Sequence, residues 1–489
     1  MIKLVQKPAH AFRVTWYFKE SDNYNELPEY QRALFSGDYL STFFITGEKE
    51  SKLLIGIGGK LQERRMNVRE LLAKAVKECA ARKIKEYSLD ISPLRQPGDH
   101  EFYYDIAEGL ILGGYHQKVY KGEEENTDPD IELYGTNVIF DEEDHKRFDE
   151  AVNLAEAICF ARDMVNLPGN KLRPEDFAGQ IRQFVKKEDI EIEILNADTL
   201  KELGMHALLA VGMSSEYPPC MVILRYNGDA GSKECFGLIG KGVTCDTGGY
   251  CLKSADSMLG IKGDMAGGAA VAAAICALAK NKVRTNVTAV IPVCENRISR
   301  GSLLPGDVIG TYSGKHVEII NTDAEGRLIL ADAVHYAVKE EGVTYLLDIA
   351  TLTGAVVGML GFSIAGAVCD DDEYYALFER AARRSGERYL RIPFYKEHEK
   401  MLESKIADIK NVGSKGCGTI TAGLFIREFA CGKPWLHLDI AGTACVDPPI
   451  FEHQSEGATG AGVSTIYHLC SNFFYMCTER TDRSDYGKI

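Results

Sequence analysis

The chain has 489 residues, of which 45% are hydrophobic and 26% charged, and its formal net charge is −15. That length is more than one hydrophobic core organises, so two or more domains are expected. The acidic balance argues against a nucleic-acid partner held by general electrostatic attraction, and no continuous apolar run of about 18 residues suggests a membrane span.

Met1–Glu20 lacks the apolar core and small-residue cleavage site of a signal peptide, so a cytoplasmic protein is expected. The 14 cysteines are scattered, with no Cys-x-x-Cys pair, and many lie in apolar surroundings such as Ala-Ile-Cys-Ala-Leu at Cys276. Reduced, buried cysteines are expected, not a disulfide framework or a zinc finger.

Leu53–Ile57 predicts a short strand, Val68–Ala81 a helix, Glu86–Ile91 a strand and Asp105–Tyr115 a helix. This alternation predicts an α/β layer structure with partly parallel strands for residues 1–145. Within it, the acidic stretch Gly122–Asp130 predicts a solvated loop. Asp141–Asn166 has helical spacing through Phe148, Val152, Leu154, Ala155, Ile158 and Ala161, and stops at Leu167-Pro168-Gly169-Asn170. Residues 146–170 are therefore read as a linking helix and boundary segment before a larger domain at 171–489. In that domain Phe236–Gly240, Val287–Pro292, Val317–Ile320, Tyr345–Ile349 and Trp435–Ile440 predict strands. Ala266–Ala279, Arg327–Val338 and Thr419–Ala430 predict helices. The fold class is α/β: two domains, each a mostly parallel mixed sheet covered by helices. Ligands bind beyond the carboxyl ends of the strands in such sheets.

Two polar clusters interrupt the strand-to-helix turns of the second domain. One runs from Gly240 through Lys241, Asp246, Gly248-Gly249 and Lys253 to Lys262-Gly263-Asp264-Met265. The other is Asn321-Thr322-Asp323-Ala324-Glu325-Gly326-Arg327-Leu328. If Asp246, Asp264, Asp323 and Glu325 converge, their mutual repulsion in a partly dry cleft is severe. Two divalent cations would neutralise it, and a carboxylate-rich, histidine-free set suits Zn²⁺, Mn²⁺ or Mg²⁺. Asp323 and Glu325, two residues apart, would point the same way in an extended segment. Asp264 is expected at a helix N-terminus, which favours an anion. Each residue alone has a plainer reading: Asp264 as an N-cap, Asp323 and Glu325 as a surface turn, Lys241 as a phosphate binder. Gly242 stands where a phosphate-binding loop needs Ser or Thr, so the last reading is weak. His398-Glu399 is not followed by the second histidine of a His-Glu-x-x-His zinc motif.

Asn321–Leu328 resembles, residue for residue, the signature octapeptide of the leucine aminopeptidase, or cytosol aminopeptidase, family. The Gly-Lys-Gly-x-Thr-x-Asp-x-Gly-Gly segment at Gly240 and the Lys-x-Asp-Met segment at Lys262 resemble that family too. The spacings agree: five residues from Lys241 to Asp246, seven on to Lys253, eighteen from Asp246 to Asp264. Ala350–Gly354, Ala407–Asn411, Leu438–Gly442, Gly457–Gly460 and the boundary segment Arg162–Pro168 extend the resemblance, which is dense from Asn153 to Leu469. In the N-terminal domain Glu108–Tyr115 is the best match.

The resemblance implies a metal-dependent aminopeptidase that removes apolar N-terminal residues such as Leu from peptides, using water activated between two metals. It implies Asp246 and Glu325 as ligands shared by both metals, with Asp323 completing one site and Lys241 and Asp264 the other. Lys241 would then be a neutral amine. Lys253 and Arg327 would be the catalytic positive groups, Arg327 holding a bicarbonate that shuttles the proton. Ile261, Thr351, Gly354, Ala441 and Ala444 would contact substrate. The family's assembly implies a homohexamer. Ile261 and Ala444 stand where relatives often have Met, and Ser254 where many have Pro, so the chain departs from the family pattern around the side-chain pocket. Within the same chemistry a narrow dipeptidase, for example for Cys-Gly, is the alternative. From other classes, the rivals are a non-catalytic DNA-binding assembly, against which the acidic balance counts, and a nucleotide-binding enzyme, against which Gly242 counts.

Overall fold

A computed structural model describes the chain except for residues 20, 48–50, 60–63, 96–98, 100, 122–128, 137, 414–415 and 472–489. The chain forms two compact units. One comprises Met1–Glu156 and Pro448–Ser455; the other runs from Ala157 to Asp447 and resumes at Glu456. The division falls inside a single helix, Glu142–Asn166. The excursion of Pro448–Ser455 into the first unit is fixed by Lys74 and Lys77. Lys74 Nζ lies 3.5 Å from Glu452, and Lys77 Nζ donates to the Gln454 carbonyl at 3.0 Å.

The first unit holds a six-stranded sheet. Its order is Ile2–Leu4, Asp130–Tyr134, Glu86–Asp90, Phe12–Phe18, Ser51–Gly58 and Thr42–Ile45. Every neighbouring pair is parallel except the last, which is antiparallel. The helices Arg64–Ala81 and Phe102–Gly113 bury Leu71, Leu72 and Ile106 in one core with Trp16, Leu53 and Ile55 of the sheet. Arg69, buried with these helices, pairs with Asp105 at 3.1 Å and Glu108 at 2.9 Å, and Arg65 adds a second cation 2.9 Å from Asp105. The acidic stretch Gly122–Asp130 lies outside the described residues but for Pro129 and Asp130, where Asp130 opens a strand.

The second unit is built on a nine-stranded sheet. Eight strands run in the order Tyr389–Arg391, Ala365–Cys369, Trp435–Asp439, Tyr345–Ala350, Phe236–Gly240, Asn286–Asn296, Cys220–Asn227 and Glu191–Leu195; the ninth, Gly242–Asp246, also pairs with Asn286–Asn296. The central strands are parallel, and Cys220–Asn227 and Ala365–Cys369 join antiparallel to their inner neighbours. Buried on both faces, these strands carry continuous apolar runs that show no alternation.

The helix Ala266–Lys280 is nearly all Ala and Gly at its start, which lets it approach the sheet closely. A Cβ on Gly267 would stand 2.0 Å from the Ile349 carbonyl oxygen, so only glycine fits there. The stretch Ile261–Lys280 has the length and apolarity of a membrane span, although Lys262 and Asp264 interrupt it. Most of it is buried inside the protein, as a core helix is.

Candidate active site

The parallel strands end at one edge of the sheet, and the predicted site residues follow those ends. Lys241 is the single residue between the strands Phe236–Gly240 and Gly242–Asp246. Its N–H donates to the Ile349 carbonyl at 3.1 Å and its carbonyl accepts from Gly268 at 2.8 Å, so its backbone is pinned on both sides. Asp246 closes the second of those strands, Thr351 follows Tyr345–Ala350, and Asp439 closes Trp435–Asp439. Glu325 immediately precedes the helix Gly326–Lys339, and Asp264 lies two residues ahead of Ala266–Lys280. This is the edge where α/β sheets bind ligands.

Two lysines interlock with four carboxylates. Lys241 Nζ lies 2.7 Å from Asp264 and 2.8 Å from Glu325, and it donates to the Thr351 carbonyl at 3.1 Å. Lys253 Nζ lies 2.6 Å from Asp246 Oδ2 and also pairs with Asp323. The Thr351 hydroxyl donates to Asp264 Oδ1 at 2.8 Å. Asp246 Oδ1 accepts from Gly248 N at 3.0 Å and from Asn296 Nδ2 at 2.8 Å. The Lys241 side chain is only 4% exposed against 21% for Lys253, so Lys253 is the lysine that meets solvent.

A Cβ on Gly326 would stand 2.5 Å from Lys241 Cε and 2.7 Å from its Nζ. The glycine of the octapeptide is therefore the space the lysine occupies.

The electrostatics follow from burial. Desolvation pushes Glu325 and Asp264 up, Asp246 adds repulsion to both, and Lys241 only partly offsets it. Burial and Asp246 likewise push Asp323 up, against Lys253. Burial alone would lower Lys241, but Asp264, Glu325 and Asp246 outweigh it and hold the ammonium above the ordinary lysine range. Among protein groups alone Lys241 is thus a charged counter-ion, and the neutral amine implied by the resemblance requires cations beside it. Burial pushes the Arg327 guanidinium down to about 10. Its Nη1 donates to the Asn411 carbonyl at 2.8 Å, while its buried Nε has no hydrogen-bond partner among the described residues.

This donor set can hold divalent cations. Carboxylate oxygens of Asp246, Asp323 and Glu325 lie within 4.8 Å of one another. Asp264 Oδ2 and Glu325 Oε1 are buried and within ion-pair reach of Lys241, yet accept no hydrogen bond among the described residues, so both keep acceptor capacity.

Some sequence readings are corrected here. Asp323 and Glu325 do not converge through an extended segment, because Thr322 and Asp323 lie in a turn. Asn321 Oδ1 accepts from Asp323 N at 2.8 Å, and Asn411 Nδ2 donates to the Asn321 carbonyl at 2.7 Å, so side chains shape that turn. Asp264 stands just ahead of the N-terminus of Ala266–Lys280 but is not its N-cap: Met265 occupies that position, and the Asp264 carboxylate faces Lys241 and Thr351. Thr351, expected at substrate, contacts Lys241 and Asp264 directly.

Gly354 opens the helix Gly354–Leu360 at an exposed position. Ala441 N donates to Asp439 at 3.3 Å, and Ala444 is buried. Ile261 lies in a single 3₁₀ turn, and a Cβ on Gly263 of that turn would stand 3.6 Å from Cys445 Sγ, so the turn neighbours the segment holding Ala444. Asn296, Asn411 and Asp439 support the cluster but carried no distinctive spacing. Asn411 and Asp439 lay inside segments of the resemblance without a role.

The pattern of the cytosol aminopeptidase family's catalytic domain matches residues 159–467, and that of the family's N-terminal domain matches residues 35–124. The chain belongs to the cytosol aminopeptidase family. It is a metal-dependent aminopeptidase, a hydrolase of peptides. A Clostridium perfringens protein described as "Probable cytosol aminopeptidase" is 39% identical over 445 residues, covering 89% of this chain and 90% of that one. A Treponema denticola protein of the same description is 37% identical over 444 residues, covering 90% and 93%. Among solved structures, the bottromycin maturation enzyme BotP in complex with Mn superposes with a TM-score of 0.85 at 30% identity, covering 95% of this chain and 99% of that one. As in cytosol aminopeptidases generally, the chemistry here depends on divalent metals, and the acidic cluster could hold them.

Proposed function

We propose that this cytosol aminopeptidase hydrolyses the first peptide bond of peptides with a free α-amino group, favouring apolar first residues such as Leu. The observation that carries this is the interlocked set of Lys241, Lys253, Asp246, Asp264, Asp323 and Glu325 at the carboxyl edge of the sheet. Asp246 and Glu325 would be shared by two divalent cations, Zn²⁺ or Mn²⁺ before Mg²⁺. Asp323 would complete one site, and Lys241 with Asp264 the other. When bound, such cations supply Lewis acidity, a water acidified towards neutral pH and an anchor for the substrate amine.

The chain's own groups do the rest. Lys253, the more exposed lysine, donates to the oxyanion that develops as water adds to the peptide carbonyl. Burial alone would lower the Lys253 pKa, but Asp246 and Asp323 outweigh that and keep it protonated above the usual lysine range. Arg327 Nε, buried and unpartnered among the described residues, would hold a bicarbonate that carries the proton. Thr351 orients Lys241 and Asp264, while Ile261, Gly354, Ala441 and Ala444 border the side-chain site. The assembly is read as a homohexamer acting in the cytoplasm, on family membership. Light scattering at the mass of one 54.0 kDa chain would contradict the hexamer.

The test is a panel of aminoacyl amides and dipeptides run beside N-acetylated controls on the Mn²⁺-loaded protein. Turnover of Leu-amide with none of its acetylated form is expected. Equal turnover of both would overturn the proposal.

A further inference from the structure

The loops after the strands Tyr345–Ala350 and Trp435–Asp439 carry most of the residues expected at substrate, and one buried carboxylate joins them. Asp439, fully buried, ends its strand. Its Oδ1 accepts the N–H groups of Leu352 at 3.2 Å, Thr353 at 3.4 Å and Ala441 at 3.3 Å, and its Oδ2 accepts the Thr353 hydroxyl at 2.6 Å.

Thr353 carries the connection onward. Its hydroxyl oxygen accepts from Val356 N at 3.2 Å, capping the helix Gly354–Leu360, and lies 2.9 Å from the Thr419 hydroxyl of the helix Gly418–Arg427. Two residues upstream of Thr353, Thr351 meets Lys241 through its carbonyl and Asp264 through its hydroxyl. Below Asp439 in the same strand, His437 Nδ1 lies 2.5 Å from Asp348 Oδ1, and Trp435 Nε1 donates to Asp348 Oδ2 at 2.7 Å. Asp348 and His437 face one another in register on the two paired strands.

We infer that Asp439 is a positioning residue of the active site. Through Leu352 and Thr353 it sets the loop that aligns Thr351 against Lys241 and Asp264, and through Ala441 it fixes the turn beyond its own strand. The inference rests on the function proposed above for its kinetic meaning, and on the hydrogen bonds alone for its structural one. A carboxylate suits the task, because one group accepts from three main-chain amides and a hydroxyl in a dry site. Outer partners of this kind typically cost about 10- to 100-fold in metal affinity or activity when lost.

The test uses Asp439→Asn, Thr353→Val and Thr353→Ser in the full chain, with three readouts. These are kcat and KM on Leu-amide, Mn²⁺ affinity by calorimetry, and amide hydrogen exchange of residues 351–354. Asp439→Asn and Thr353→Val are expected to speed exchange at 351–354 and to weaken Mn²⁺ binding or lower kcat by roughly 10- to 100-fold. Thr353→Ser, which keeps the hydroxyl, is expected to restore both.

A folded Asp439→Asn with unchanged exchange, Mn²⁺ affinity and kcat would overturn the inference. So would Thr353→Ser failing as badly as Thr353→Val. If Asp439→Asn does not fold, the two Thr353 variants decide in the same way. If the unaltered protein turns over no aminoacyl substrate, the proposed function fails. Exchange and Mn²⁺ affinity then still decide the positioning role.

Discussion

Both carboxylate oxygens of Asp264 lie 2.7 Å from Nζ of Lys241, in a pair that is almost wholly buried. With Glu325 a further 2.8 Å contact, one ammonium faces two carboxylates that desolvation pushes up. Breaking a buried pair by removing one partner leaves a buried charge uncompensated, which costs about 3–5 kcal/mol. Lys241→Met is therefore expected to lower stability in chelator by about that amount, measured by urea unfolding. Unchanged stability would show that Lys241 is not the counter-charge described.

Gly326 makes way for the same lysine. Elsewhere in a helix Gly→Ala stabilises by up to about 1 kcal/mol. At Gly326 the new methyl would stand 2.5 Å from Lys241 Cε, and the lysine is hemmed in by Asp264, Glu325 and Thr351. Gly326→Ala is expected to cut kcat/KM by more than about 10-fold, by analogy with lost outer support, while thermal stability changes little. Wild-type kcat/KM in a folded Gly326→Ala protein would show the contact to be relaxed at no cost.

Lys253 and Asp246 separate transition-state stabilisation from ligation. Removing one donor to a developing oxyanion costs roughly 10²- to 10³-fold in kcat. Lys253→Ala is expected to lose activity on that scale and keep its metals, whereas Asp246→Ala should lose metal by elemental analysis. Near-normal turnover in Lys253→Ala, or full metal content in Asp246→Ala, would contradict the role of that residue.

Away from the site, Asp332 accepts main-chain N–H groups from Ala207 at 2.9 Å, Leu208 at 3.0 Å and Tyr312 at 2.7 Å, all around a fully buried carboxyl. Each orphaned buried donor costs about 1–3 kcal/mol. With three such donors, Asp332→Ala should destabilise the second unit by at least about 3 kcal/mol, read from urea unfolding. A loss under about 1 kcal/mol would mean that those amides find other partners.

Much of this was legible in the sequence because the site is local in the chain. The octapeptide Asn321–Leu328 leads into a helix, the Gly240–Gly249 segment follows a strand, and both carry charge where a core would have none. The predicted strand Phe236–Gly240 and helix Glu142–Asn166 were legible from apolar runs and a Pro-Gly stop. The ninth strand, Gly242–Asp246, looks like part of a turn in the sequence, because its glycine and polar residues hide its pairing with Asn286–Asn296. The supports were not legible. Asn411 reaches the Asn321 turn across 90 residues, and Asp439 reaches Leu352 across 87. No spacing rule spans such distances, and only the assembled sheet brings those loops together. The return of Pro448–Ser455 to the first unit is hidden for the same reason.

The central claim is that the carboxylate–lysine cluster works only as a divalent-metal site. The most direct measurement is Leu-amide hydrolysis by protein stripped with chelator, checked by elemental analysis, and then titrated with Mn²⁺ or Zn²⁺. The predicted result is no turnover in the stripped protein and recovery that saturates at two metals per chain. Full turnover in protein shown to be metal-free would contradict it.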